Sequence, residues 1–129
     1  MITIHIVDGD ASVRIAARRI LERAGFVVTE AKDDKFATTS RPDLIIADLA
    51  TINFAAIRRH YPGTPTLAIN ADGFVPVEAH LLAGSLKKPF TASQLLGAVR
   101  RCLARPDSSL AGATTGPRRR SRRPRPRRI

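Results

Sequence analysis

The chain opens on closely set apolar positions, Ile2, Ile4, Ile6 and Val7, and breaks off at the turn-like Asp8-Gly9-Asp10. β-Branched residues at this density predict a strand. Directly after it, Val13, Ala16, Ala17, Ile20, Leu21 and Ala24 keep to one face of a helix, and Arg14, Arg18, Arg19, Glu22 and Arg23 take the opposite face. Asp10 stands where an N-cap belongs and Gly25 where a helix stops, so both ends are specified. Phe26 to Ala31 reads as a second strand and Asp34 to Thr39 as a short helix. Leu44-Ile45-Ile46-Ala47 is an unbroken apolar run between Pro42 and Asp48, the pattern of a central parallel strand covered on both faces.

Phe54 to Tyr61 continues as a helix closed by Pro62-Gly63, and Thr66 to Ile69 is a fourth strand. Pro76 opens a short helix from Val77 to Ala83, and Ser85 to Lys87 gives a brief fifth strand. The last helix, Ala92 to Leu103, gathers Ala92, Leu95, Leu96, Val99, Cys102 and Leu103 on one face. Thr91 and Gln94 have the spacing of a capping box. Strands alternating with helices at such short intervals predict an α/β fold, with right-handed crossovers, a parallel sheet and helices on both faces. From Arg105 the periodicity ends. Arg, Pro, Ser, Gly and Thr dominate there, and the pattern predicts a disordered tail over 105–129 behind a domain of 1–104.

Charge sharpens this division. The chain of 129 residues carries 22 Lys+Arg against 11 Asp+Glu, a formal net charge of +11. Eight of those basic residues are arginines between Arg118 and Arg128, where there is no acid, so residues 1–117 hold 14 basic groups against all 11 acids and a net of only +3. The excess belongs to the tail. A hydrophobic content of 43% suffices for a core. The single cysteine, Cys102, excludes an intramolecular disulfide and any zinc site on paired thiolates, and its place on the last helix reads as core. His5, His60 and His80 lack ligand spacing and read as ordinary surface or core histidines. No apolar run approaches the roughly 20 residues of a membrane span, and no basic segment precedes the first apolar stretch as in a signal peptide. A cytoplasmic protein without membrane contact is the expectation.

Open α/β sheets collect their chemistry at the carboxyl ends of the strands. Those ends carry Asp8, Asp48, Asn70 and Lys88. Two carboxylates from adjacent central strands beside a lysine form an acidic pocket suited to Mg²⁺, and a carboxylate there can act as nucleophile toward a phosphoryl group. No G-x-G-x-x-G, P-loop or G-x-S-x-G is present, so an enzyme acting on a separate substrate is not expected.

At these residues the chain resembles response-regulator receiver domains, of the chemotaxis-receiver kind. The segments IVDGDASVRIAARRILERAGFVV, PDLIIADL and LKKPF look like that family's three signature blocks, in order, over residues 1 to about 104. The resemblance implies a flavodoxin-like doubly wound sheet of five parallel strands in the order 2-1-3-4-5. It implies a phosphoacceptor at Asp48, a phosphoryl-contacting lysine at Lys88, metal ligation by Asp8 and Asp48, and a cis peptide at Lys88-Pro89. The implied function is a single-domain receiver in a two-component phosphorelay, loaded by a histidine kinase or phosphotransfer protein. Its only catalysis would be transfer to itself and autodephosphorylation.

The departures define what is atypical. The second carboxylate of the acidic pair, a direct metal ligand, falls on Gly9; Asp10 is assigned to the helix cap instead. The switch hydroxyl falls on Asn70, which can still contact a phosphoryl oxygen through its amide, and the aromatic switch falls on Ser85. Losing one carboxylate weakens Mg²⁺ binding. These changes leave open a receiver-like protein-binding module that works without phosphorylation. The stretch Arg118–Arg128 suits nonspecific contact with nucleic acid or an acidic partner, but no aromatic residues are interleaved for base stacking.

Overall fold

The computed structural model describes residues 1–33, 35, 40–71 and 79–104. Along the chain run β1 (Thr3–Val7), α1 (Ala11–Arg23), β2 (Val27–Ala31), β3 (Leu44–Ala47), α2 (Phe54–His60), β4 (Thr66–Ala71), a single 3-10 turn (Ala79–Leu81), β5 (Gly84–Lys88) and α3 (Ala92–Ala104). The five strands form one sheet in the order β2-β1-β3-β4-β5. Every pairing is parallel, with Ile6 opposite both Glu30 and Ile46, and Asn70 opposite Lys87. This is the flavodoxin-like doubly wound arrangement.

The central strands are aliphatic on both sides because both faces are covered. On one face Ile4, Ile6, Leu44, Ile46, Leu67 and Ile69 meet Ala17 and Leu21 of α1 and Leu95 and Val99 of α3. On the other, Val7, Ile45, Ala47 and Ala68 meet Phe54, Ile57 and Tyr61 of α2 and its C-cap. Each fully buried Ile or Leu here contributes about 1.5–3 kcal/mol by leaving water. His5 lies on β1 among these residues, buried, with Nδ1 2.7 Å from the Thr29 hydroxyl. Burial, and then the charge of His60, hold its imidazole below the ordinary histidine value. His60 and His80 are exposed.

Local signals set the helix ends. The Asp10 carboxylate accepts the Ser12 N–H at 2.9 Å and opens α1. Gly25, at φ +98°, closes it, and the Gly25 and Phe26 N–H groups donate to the Glu22 and Leu21 carbonyls. Asn53 caps α2 by accepting from Ala55 and Ala56. Thr91 and Gln94 exchange both bonds of a capping box, at 2.9 and 3.1 Å. Cys102 is buried in the core as its helical position predicts. Its Sγ lies only 3.1 Å from where a Cβ would stand on Gly84, so glycine at the start of β5 lets α3 seat closely.

Two boundaries differ from expectation in ways that bear on function. β4 runs on to Ala71, which places Asn70 inside the strand, and β5 runs on to Lys88, which makes that lysine a strand residue. Ladder pairing Asn70↔Lys87 and Ala71↔Lys88 extends both strands together. Lys88-Pro89 is cis. The helix predicted at Asp34–Thr39, save Lys35, the first part of the helix predicted at Val77–Ala83, and the 105–129 tail lie outside the described residues. Among the described residues no helix is long and apolar enough to cross a membrane.

Candidate functional site

Parallel pairing delivers two acids side by side. Asp8 follows β1 and its N–H donates to the Ala31 carbonyl at 3.1 Å; Asp48 follows β3 and its N–H donates to the Val7 carbonyl at 3.1 Å. The sheet ladder therefore continues one residue past each strand end and holds both backbones in register. Lys88 reaches this point from the far strand. Its Nζ donates to Asp8 Oδ2 at 2.8 Å and to Asp48 Oδ2 at 3.1 Å, across 80 and 40 residues of sequence.

The remaining carboxylate oxygens are also engaged. Asp8 Oδ1 accepts the Asp10 N–H at 2.8 Å, and Asp48 Oδ1 accepts the Ala50 N–H at 3.0 Å. Asp8 is closed off from solvent at 1% exposure, whereas the Asp48 side chain keeps 13% and Lys88 18%. Asp48 is thus the more accessible of the two acids. Burial alone would lower the Lys88 ammonium; hydrogen bonds and charge from Asp8 and Asp48 outweigh it and hold the pKa above the ordinary lysine value.

Arg14 supports the site from α1 in a way the helical pattern does not reveal. On a helical wheel it belongs to the polar face. In the fold its Nη1 donates to the Asp8 backbone carbonyl at 2.6 Å while Nε pairs with Glu30 of β2 at 3.1 Å. Asp8 is therefore held at its carboxylate and at its carbonyl. The signal was present only as an arginine one turn into the helix that follows an acidic strand end.

Of the residues singled out by sequence, Asp8, Asp48 and Lys88 meet. Asn70 is buried near the C-terminal end of β4, opposite Lys87, and Ser85 is an exposed β5 residue opposite Ala68.

No family model and no curated protein matches the chain. Solved structures do. The chemotaxis response regulator CheY4 of Vibrio cholerae matches with a TM-score of 0.68 at 27% identity, over 80% of this chain and 99% of that one. A response regulator of Chloroflexus aurantiacus, described as putative, matches at 0.67 and 26% identity, over 80% and 98%. NtrX of Brucella abortus matches at 0.71 and 25% identity over 80% of this chain, which spans only 26% of NtrX. In its fold the chain is similar to response-regulator receiver domains.

In this receiver-like domain Gly9 stands where the resemblance implies a further metal-ligating carboxylate. The Mg²⁺ that the family implies needs a near-octahedral set of oxygens. Here two carboxylates are present, every oxygen of which already accepts a hydrogen bond, and the Lys88 ammonium lies between them. Gly9 adds no ligand, and among the described residues no three His, Cys, Asp or Glu side chains gather into a metal-binding group. The donor set does not fit a divalent cation without rearrangement.

Proposed function

We propose that the protein is a cytoplasmic receiver of a two-component phosphorelay, accepting a phosphoryl group on Asp48 from a histidine kinase or phosphotransfer protein. The observation that carries this reading is the Lys88 ammonium held between the carboxylates of Asp8 and Asp48 at the carboxyl ends of the central strands. In the transfer, an Asp48 carboxylate oxygen attacks the phosphorus of the donor's phosphohistidine. The O–P bond forms, the P–N bond breaks, and the electron pair leaves on the imidazole nitrogen, which takes up a proton. Lys88 supplies positive charge to the phosphoryl oxygens, the recurring requirement of phosphoryl transfer. Water later attacks the phosphorus, releases phosphate and restores the carboxylate. No separate substrate is required.

Gly9, Asn70 and Ser85 favour a second reading, a receiver-like binding module that works without phosphorylation. The two separate on one experiment. The full chain is incubated with Mg²⁺ and a small-molecule phosphodonor and its intact mass is measured. A phosphoryl adduct that Asp48→Ala abolishes supports the acceptor; no adduct, or one that survives this substitution, supports the binding module. On either reading, the arginines Arg118–Arg128 are proposed to contact a polyanion, nucleic acid or an acidic partner. Salt-sensitive binding that is lost when residues 105–129 are removed is the expected result.

A further inference from the structure

A receiver that has lost a metal ligand needs another source of positive charge, and this fold places one in the pocket. The Lys88 ammonium contacts Asp8 Oδ2 and Asp48 Oδ2 at 2.8 and 3.1 Å, so it joins the two carboxylates that would hold a divalent ion. The opposite oxygens are tied to the Asp10 and Ala50 amides, which fixes both carboxylates in the orientation that serves the lysine. Two carboxylates and one ammonium leave the cluster one negative charge, where a third carboxylate would leave two. Both the attraction for a divalent ion and the number of its ligands fall together.

We infer that Lys88 is the resident cation of this site and that a divalent metal binds only by displacing it, with Gly9 the residue that sets this preference. This deepens the acceptor reading of Asp48, on which its second test rests; the first test is independent of it. Gly9 is exposed, and a Cβ built there meets only the Lys32 carbonyl oxygen, at an ordinary 3.7 Å. A side chain at this position is therefore sterically admissible, and the missing ligand can be restored without rebuilding the loop.

The first test is a Mn²⁺ titration of the unphosphorylated full chain, followed by paramagnetic broadening of the amide signals around Asp8 and Asp48. The wild type is expected to show no saturable binding below about 10 mM, and Gly9→Asp to bind at least about tenfold more tightly. Lys88→Met, which removes the competing ammonium, is expected to tighten binding as well; Gly9→Asp keeps the triad and serves where Lys88→Met does not fold. Submillimolar saturation of the wild type, unchanged in Gly9→Asp, overturns the inference. The second test compares adduct formation on Asp48 with Mg²⁺ and with a chelator. Rates within about twofold are expected for the wild type, with metal dependence appearing in Gly9→Asp. An adduct strictly dependent on Mg²⁺ in the wild type overturns the inference. No adduct under either condition defeats the acceptor reading instead, and the titration still decides the cation question.

Discussion

Two cations in this domain each hold a pair of carboxylates, at similar distances and in very different surroundings. Lys88 joins Asp8 and Asp48 at 2.8 and 3.1 Å; Arg18 joins Glu30 and Glu22 at 2.9 and 3.0 Å. The first group has 18% exposure on the lysine and 1% and 13% on the acids, whereas the second has 42%, 26% and 47%. Bond length alone would rank the two equally. Burial separates them, because solvent and salt screen the arginine cluster while removal of Lys88 strands two acids in a poorly hydrated pocket. One cluster is the candidate site. The other is a surface brace between α1 and β2.

Substituting the two cations should break the apparent equality. Lys88→Met is expected to cost about 3 kcal/mol in chemical denaturation at neutral pH, since it leaves a largely buried carboxylate pair uncompensated. The same interaction fixes an alkaline limit. The folded Lys88 pKa lies above its unfolded value of about 10.4, so its contribution is complete below that pH and is lost as pH rises through the folded value. That loss should be absent from Lys88→Met.

Arg14 stands between the two clusters, donating to the Asp8 carbonyl and sharing Glu30 with Arg18. Arg14→Ala is expected to cost about 1.5–3 kcal/mol, the range for a hydrogen bond to a charged group. A cost equal to that of Arg18→Ala would place Arg14 with the brace rather than the site.

His5 extends the comparison to a buried base held by the Thr29 hydroxyl instead of by carboxylates. Its folded pKa is lowered, so stability is full above the unfolded value of about 6.5 and falls as pH drops through that value toward the folded one. The slope contributed by one such group is at most about 1.4 kcal/mol per pH unit, and His5→Gln should flatten it in pH-dependent denaturation. Smallest of all, Arg18→Ala and Glu22→Ala are each expected to cost less than about 0.5 kcal/mol and to become indistinguishable from wild type in high salt.

What the chain discloses before folding follows from which physical signals are local. The caps of α1 and α3, Asp10, Gly25 and the Thr91–Gln94 pair, are read from neighbours and occur where expected. The unbroken run Leu44–Ala47 announces a strand covered on both faces. Asp8 and Asp48 are legible as strand-end acids. A lysine beside them follows from the same strand-end position, but the direct contact of Lys88 with both carboxylates, across 40 and 80 residues, is fixed only once the sheet is paired. Arg14 escapes for a related reason: an arginine on the polar face of a helix reads as solvated until β2 and the β1–α1 turn are packed against it. For Asn70, polarity at the end of an apolar run predicts a position beyond β4, but ladder pairing with Lys87 carries the strand past it.

The most direct test of the acceptor assignment is residue-level trapping. The full chain is treated with a phosphodonor, reduced with borohydride, which converts an aspartyl phosphate to homoserine, and mapped by peptide mass spectrometry. The account predicts homoserine in place of Asp48, with Asp8 unmodified despite lying against the same lysine. Modification at Asp8, or an unmodified Asp48 in fully folded protein, would contradict it.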